Sequence, residues 1–229
     1  VTMHHIASDR WSQPILVKEV AALYSAYAED RPARLEPLKI QYTDFAFWQR
    51  KYFTPDVLDK KIDYWKEKLT GVATLRLPTD YNRQAIQSTR GASAAFKIDK
   101  ELSEHLQSLS HDQGATIFMT LLAAFNVLLY RYSGQQDICV GTPIAGRQQQ
   151  EVENLIGFFV NTLALRSEMA GSASFTELLQ QVKNNTMEAY GHQEASFEKV
   201  EEEVVKQRDM SRRPPFTVIF ALQKTPVLP

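Results

Sequence analysis

The sequence has 229 residues, enough for one large domain or two small ones. Hydrophobic residues make up 44% and charged residues 23%, values of a folded globular protein that exclude a disordered chain. The 26 basic and 27 acidic residues leave a net charge of −1, which excludes the basic surface that nucleic-acid binding requires.

Cysteine content and apolar runs narrow the class of protein further. The single cysteine, Cys139, excludes an intramolecular disulfide and a zinc site built from cysteines. The longest apolar stretch, Ile117 to Tyr130, is interrupted by Thr120 and Asn126 and is too short to span a bilayer. No signal peptide is visible. We therefore expect a cytoplasmic protein that binds neither nucleic acid nor membrane.

The first third of the chain is predicted to be mainly helical. Val1 to Ile6 is predicted as a short strand, and Ser8 or Asp9 as the cap of the helix that follows. Apolar residues at helical spacing predict three helices, over Ser12 to Glu29, Tyr42 to Phe53 and Pro55 to Leu69. Leu77 to Gly91 contains few apolar residues and is predicted as a long connection.

The remainder of the chain alternates strands with helices. Four strands are predicted, at Ala92 to Ile98, Ile138 to Ile144, Phe158 to Leu165 and Thr217 to Leu222. The helices between them are predicted at Lys100 to Asp112, Ile117 to Tyr132, Ser174 to Tyr190 and from Phe197 onward. The second of these is apolar nearly all round, which favours a buried central helix. The whole pattern indicates a layered α/β fold.

The segment HHIASDRWS, His4 to Ser12, is the strongest candidate for chemistry. Adjacent residues of a strand point to opposite faces, so one of His4 and His5 is expected in a cleft and the other in the interior. Asp9 is placed to orient an imidazole or an arginine from elsewhere in the fold. A neutral imidazole can take a proton from an amine or a hydroxyl near pH 7. The alternative is a pair of incidental histidines near a mobile chain end.

A metal site is not expected at this segment. The HHxxxD spacing differs from that of a helical HExxH zinc site, and no downstream Cys or His pair completes a ligand set.

The segment resembles the HHxxxDG motif of the condensation domains of non-ribosomal peptide synthetases. Further segments resemble that family in the same order along the chain. They are YTDFAFWQR (Tyr42 to Arg50), GTPIAGR (Gly141 to Arg147), IGFFVNTLALR (Ile156 to Arg166), HQEASFEKV (His192 to Val200) and RDMSRRPPF (Arg208 to Phe216). The corresponding family patterns are YxDFAxWQ, GxPxxGR, IGxFVNTxxxR, HQDxPFExV and RDxSRxPLF.

The resemblance implies a chloramphenicol-acetyltransferase-like fold, in which a mixed sheet is flanked by helices and two α/β lobes enclose a channel. It also implies a reaction: the amine of an acceptor aminoacyl group attacks a donor thioester, and an amide forms. Both substrates would be carried on the 4′-phosphopantetheine of upstream and downstream carrier proteins, next to an adenylation domain. No cofactor would be bound by the domain itself.

The resemblance also implies roles for individual residues. His5 would be the catalytic histidine, as a proton acceptor or as a group that positions the amine, with His4 as its neighbour in the motif. Asp9 would pair with Arg147 in a buried ion pair that fixes geometry. Three further residues are weaker candidates for shaping the channel: Asn161, Arg208 and Asp209.

Arg10 departs from the family pattern, which has glycine at that position. An arginine there adds bulk and positive charge near the histidines, unless its side chain swings away from the channel. Two alternatives therefore stay open beside condensation. One is a transferase of the same fold that uses acyl-CoA and an alcohol or amine, and the other is a non-catalytic docking relative.

The motif order predicts the extent of the domain. We expect residues 1–229 to be part of a condensation domain whose N-terminal lobe is largely missing. Residues 1–70 would end that lobe and connect it, 71–91 would be a linker, and 92–229 would form the C-terminal lobe. The 229 residues alone are expected to lack condensation activity.

Overall fold

The computed structural model describes residues 2–81, 90–206 and 216–223. Helices dominate, in the order α1 (Ser12–Ala28), α2 (Tyr42–Tyr52), α3 (Pro55–Leu69), α4 (Lys100–Asp112), α5 (Ile117–Ser133), α6 (Phe175–Gly191) and α7 (Phe197–Lys206). Between α5 and α6 lie two paired strands, β1 (Asp137–Ile144) and β2 (Asn161–Glu168). Short 3-10 turns occur at His5–Ala7 and Gln150–Val152. The helices predicted from the sequence are confirmed to within a few residues at their ends.

Three predicted strands need correction. The strand predicted at Val1 to Ile6 is not found at residues 2–6, where a 3-10 turn begins at His5. Residues 92–98 form no strand within the described part of the chain, and Phe96 is 86% exposed. Thr217 to Leu222 contributes only one parallel bridge, between Ile219 and Gly141. Alternating apolar residues make a strand only where a neighbouring strand accepts their hydrogen bonds.

Two compact units are distinguished by their internal contacts. Unit 1 comprises Val1–Glu67, Pro143–Leu163 and His192–Gln207, and unit 2 comprises Lys68–Thr142, Ala164–Gly191 and Arg208–Pro229. Each unit is therefore assembled from segments that are distant in sequence. The predicted lobe boundaries at residues 70 and 92 stay predictions.

Unit 1 has a small apolar core next to the histidine segment. Val152, Leu155 and Phe159 are 1–6% exposed and form its centre. Side chains from α2 pack against this cluster, including Tyr42 and Phe45, and the Phe159 and Phe45 rings lie 4.7 Å apart. Burial of such rings stabilises the loop between β1 and β2, which carries no long element of its own.

Unit 2 is organised around α5. This helix begins with Thr116, whose side chain accepts a hydrogen bond from the Met119 amide, and ends at Gly134 in the left-handed conformation. It contacts α4 and α6. Leu122 and Ala123 are fully buried, whereas Leu128 is 49% exposed, so only one side of this apolar helix lies in the core.

An arginine ties β2 to the neighbouring segments of unit 2. The Arg166 guanidinium donates to both carboxylate oxygens of Asp137, at 2.8 and 3.0 Å, and to the carbonyls of Lys68 and Thr70. The hydrogen bond to Asp137 raises the pKa of Arg166. The bidentate pair joins β2 to β1, and the bonds to the two carbonyls join β2 to the end of α3.

Among the described residues, no single helix has both the length and the apolar composition of a membrane span. Helices α4 and α5 reach those values only when taken together, and they are bent by 106° at the break between them.

Candidate active site

The two histidines lie in a tight turn. The His4 Nδ1 atom accepts a hydrogen bond from the Ile6 amide at 3.1 Å, and the His5 Nδ1 atom lies 2.7 Å from the Ser8 carbonyl oxygen. Such local side-chain bonds to the backbone compete with strand pairing, which explains the 3-10 turn. Both histidines are exposed, so the expectation that one of them faces the interior is wrong.

The contact to Ser8 determines which nitrogen of His5 is available. A carbonyl oxygen only accepts hydrogen bonds, so the His5 Nδ1 atom must carry the proton and donate. In the neutral ring the lone pair then resides on Nε2. The arrangement leaves Nε2 as the atom able to accept a proton from a substrate.

Asp9 is the buried anchor behind this turn. It is 4% exposed, and its carboxylate accepts hydrogen bonds from the Ser12 amide at 2.9 Å, the Ser12 hydroxyl at 2.7 Å and the Phe159 amide at 3.1 Å. Arg147 Nη2 lies 3.1 Å from Asp9 Oδ1. The carboxylate thus holds the start of α1 against the loop between the two strands.

Arg147 is buried like Asp9. Its side chain is 1% exposed, and Nη1 donates to the carbonyls of Val152 and Leu155. The guanidinium carbon lies 4.0 Å from the centre of the Phe159 ring, a cation–π contact. These contacts compensate a buried charge that would otherwise be strongly destabilising, although the buried Nε atom has no hydrogen-bond partner among the described residues.

A glycine is required beside this arginine. Gly146 has φ = +65°, and a Cβ atom added to it would lie 2.0 Å from the Phe159 carbonyl oxygen. Only glycine allows so close an approach of the two backbone segments. The Gly-Arg pair therefore brings Arg147 to Asp9 across 138 positions of sequence.

Ser12 links the histidine segment to the loop before β2. Its hydroxyl donates to Asp9 and lies within hydrogen-bond distance of the Gly157 amide and carbonyl, at 3.1 and 3.0 Å. The Asp9 amide also donates to the Gly157 carbonyl at 3.1 Å. Two backbone segments far apart in sequence are thereby held as one rigid piece.

The electrostatic balance at Asp9 favours the charged carboxylate. Burial alone would raise the pKa of Asp9, but the hydrogen bonds from Ser12 and Phe159 and the positive charge of Arg147 outweigh it. The pKa of Asp9 therefore lies below its usual value. Burial of Tyr42, together with the charge of Asp9, raises the pKa of its phenol, which stays a hydrogen-bond donor.

The lowered pKa predicts a stability contribution that depends on pH. A depressed native pKa stabilises the fold above the unfolded pKa of about 3.9, and the contribution is lost as pH falls through the native pKa. We expect Asp9→Asn to reduce the free energy of unfolding most near pH 7, with a difference from the unmodified protein that shrinks below about pH 4.

Urea unfolding of the intact domain between pH 7 and pH 2 measures this difference. Asp59→Asn, which changes an exposed carboxylate of α3, is the control and should give a small difference at every pH. A destabilisation by Asp9→Asn that stays constant across the range would show that ionised Asp9 does not stabilise the fold.

Asn161 holds a different segment. Its side-chain amide donates to the carbonyls of Gln193 and Ala195 at 2.8 and 2.7 Å, and its oxygen accepts from the Phe197 amide at 3.0 Å. Asn161 thus fixes the loop that leads into α7. Nearby, the His192 ring stacks on Tyr64 with centroids 3.9 Å apart.

Comparison with known proteins identifies the family. The model of the condensation-domain family matches residues 1–228. The chain belongs to the condensation-domain family. A linear gramicidin synthase of Brevibacillus parabrevis is 50% identical over 226 residues, and bacitracin synthase 3 of Bacillus licheniformis is 42% identical over 222 residues.

Solved structures of this kind share the fold. The X-domain from teicoplanin biosynthesis superimposes with a TM-score of 0.84 at 27% identity, over 95% of this chain and 50% of that one. A four-domain nonribosomal peptide synthetase bound to AMP and glycine gives a TM-score of 0.83 at 26% identity, over 98% of this chain and 17% of that one.

The chain spans a small part of the curated relatives. The match to the linear gramicidin synthase takes in 98% of this chain but 4% of that protein, and the match to bacitracin synthase 3 takes in 96% of this chain but 3% of that protein. The similarity therefore concerns one short segment of each of these much longer relatives.

Of the remaining predicted site residues, the structure describes Arg10 but not Arg208 or Asp209. Arg10, which replaces the glycine of the condensation-domain motif, is exposed. Its neighbour Trp11 donates from Nε1 to the Glu153 carbonyl at 3.0 Å. Arg208 and Asp209 lie outside the described residues, as does most of the segment that resembles RDxSRxPLF.

The structure adds residues to the site that the sequence analysis did not select. Ser12 and Phe159 bind Asp9 directly, and the Tyr42 hydroxyl donates to the Phe158 carbonyl at 2.8 Å. All of them lie within the segments that the sequence analysis compared with condensation-domain motifs. Their contacts, however, use backbone groups such as the Phe159 amide and the Phe158 carbonyl, which a sequence pattern does not reveal.

Proposed function

We propose that this segment supplies the catalytic histidine of a condensation domain that forms amides between two carrier-bound substrates. His5 carries the proposal: it is exposed, and its Nδ1 atom is engaged by the Ser8 carbonyl at 2.7 Å. The turn that holds it is fixed by the buried pair of Asp9 and Arg147. A histidine at a mobile chain end would lack both the bond to Ser8 and the anchored turn.

The proposed reaction is aminolysis of a thioester. The acceptor amine attacks the thioester carbonyl, so that a C–N bond forms and the C–S bond breaks. His5 Nε2 takes the proton that the amine loses, and the departing thiolate receives a proton to become the free thiol of the donor carrier. Alternatively, Nε2 orients the amine by accepting a hydrogen bond from it.

Positioning supplies much of the rate in such a reaction. Two substrates held in the correct geometry react as if at very high concentration. Asp9, Arg147 and Asn161 contribute by keeping the loops around the histidine in place, and they do not touch the reacting atoms in this proposal. Arg208 and Asp209 are proposed to shape the channel, and His4 to support the turn.

The proposed partners are a donor and an acceptor carrier domain, each with a 4′-phosphopantetheine arm, and a neighbouring adenylation domain. The names of the relatives support this, because they are synthases of linear gramicidin and bacitracin. One structural neighbour is itself a four-domain nonribosomal peptide synthetase. The cytoplasmic location, the lobe boundaries and the inactivity of residues 1–229 alone stay predictions.

A comparison of donors tests the proposal. The complete condensation domain is mixed with an aminoacyl acceptor carrier and offered the same acyl group on a carrier protein or on coenzyme A. We expect an amide on the acceptor carrier, detected by intact mass, only with the carrier-bound donor at equal concentration. Equal or faster transfer from coenzyme A would favour the acyl-CoA-dependent transferase instead.

A docking domain is the second candidate function. The X-domain from teicoplanin biosynthesis has a similar fold and is known in complex with OxyB. Arg10, which stands where the condensation motif has glycine, is the residue that favours this alternative. The docking function predicts that the complete domain binds a partner enzyme and forms no amide. The variant Arg10→Gly, which restores the glycine, would not form one either.

A further inference from the structure

An aromatic side chain lies directly against the proposed catalytic histidine. The rings of Phe158 and His5 have centroids 5.2 Å apart and an interplanar angle of 83°, an edge-to-face contact. Phe158 is 37% exposed, although both of its chain neighbours, Gly157 and Phe159, are buried. A large apolar ring is therefore kept at the surface beside His5.

Hydrogen bonds fix the backbone at Phe158 and at both of its chain neighbours. The Tyr42 hydroxyl donates to its carbonyl at 2.8 Å. On one side, the Gly157 amide and carbonyl bind the Ser12 hydroxyl; on the other, the Phe159 amide donates to Asp9. Gly157 must also lack a side chain, because a Cβ atom there would come 2.2 Å from the Tyr42 ring.

The contact with Phe158 restrains the tilt of the His5 imidazole, which its hydrogen bond to Ser8 does not. A single bond from Nδ1 to the Ser8 carbonyl fixes one point of the imidazole and leaves the ring free to tilt about it. A second contact on the ring itself removes that freedom. Two restraints from different directions define where Nε2 points.

We propose that Phe158 is a positioning residue that fixes the tilt of the His5 imidazole and so aims Nε2 at the substrate amine. This deepens the proposed function and rests on it. It also gives the buried pair of Asp9 and Arg147 a path to the histidine, through the Phe159 amide and the Phe158 ring.

The family pattern does not dictate this contact. In IGxFVNT the position of Phe158 is the open one, and the fixed phenylalanine corresponds to Phe159, which stacks on Arg147 instead. The neighbouring phenylalanines thus have separate tasks: one packs on the buried cation and the other on the histidine. The family pattern leaves the residue for the second of these contacts open.

Kinetics of the intact domain with both carrier partners test the role. We expect Phe158→Ala to lower kcat about 10- to 100-fold while KM for each carrier substrate changes less than about twofold, because only the orientation of a reacting group is lost. Phe158→Tyr, which keeps the ring, should restore kcat to within about threefold. Phe47→Ala, at an aromatic residue 72% exposed on α2, is the matched control.

Magnetic resonance tests whether the Phe158 ring lies against the His5 imidazole in solution, as the ring contact requires. The His5 ring protons lie beside the Phe158 ring and therefore carry a shift caused by its ring current. We expect this shift to disappear in Phe158→Ala and to persist in Phe158→Tyr, with the other histidine signals unchanged. The His5 signal is assigned by its loss in His5→Ala.

The outcomes separate this inference from the proposed function. Full activity of His5→Ala would overturn the proposed function and this inference with it. An inactive His5→Ala together with a Phe158→Ala that retains kcat within twofold would overturn only the role of Phe158. If Phe158→Ala fails to fold, Phe158→Leu, which keeps apolar volume without the aromatic ring, decides in the same way.

Discussion

Replacement of His5 by alanine should lower kcat for amide formation by the complete domain about 100- to 10,000-fold, the range typical of a lost general base. His5 is exposed, and the Ser8 carbonyl engages Nδ1, which leaves Nε2 for the substrate. The fold should survive, because the side chain makes only this bond and the contact with Phe158 among those described. Single-turnover assays with preloaded carriers measure the effect.

A matched control is available on α4. His105→Ala removes another exposed imidazole, in unit 2, and should leave kcat within about twofold, as expected for a surface substitution. If His5→Ala and His105→Ala proceed at the same rate, His5 is not the catalytic histidine.

Arg147→Met should destabilise the intact domain by about 3–5 kcal/mol, the cost of breaking a buried ion pair by removing one partner. The side chain is 1% exposed and binds Asp9, two backbone carbonyls and the face of Phe159. Methionine fills much of the volume but satisfies none of these groups, and it leaves the Asp9 carboxylate buried without its cation. Urea unfolding gives the free energy directly.

A double-mutant cycle separates the ion pair from the packing. Combining Arg147→Met with Asp9→Asn removes both charges, so the double variant should be less destabilised than the sum of the single ones. Arg131→Met, at an exposed arginine of α5, controls for the substitution itself and should cost less than about 0.5 kcal/mol. Strict additivity of Arg147→Met and Asp9→Asn would mean that the two residues do not stabilise each other.

Local signals in the sequence predict the helices well. Apolar spacing predicts each helix of the described residues to within a few residues at its ends. The strands are predicted less well, since their existence depends on a partner. Alternation at Ala92 to Ile98 matches a strand pattern, yet the described residues provide no neighbouring strand for it.

In the site, too, residues close in sequence are predicted better than contacts between distant segments. The motif places His4, His5 and Asp9 near one another, because they are close in sequence. The predicted strand at the two histidines is wrong, because hydrogen bonds between the imidazoles and the backbone favour a 3-10 turn. The contact between His5 and Phe158 joins segments about 150 residues apart, and no periodicity or spacing reports such a contact.

The central claim is that His5 performs the chemistry while Asp9 and Arg147 hold its surroundings. The most direct measurement is the single-turnover rate of amide formation by His5→Ala and Arg147→Met, compared with the free energy of unfolding of each. We predict that His5→Ala is as stable as the unmodified domain but at least about 100-fold slower. We predict that Arg147→Met is clearly less stable. A stable His5→Ala domain that transfers its substrate at the full rate would contradict the claim.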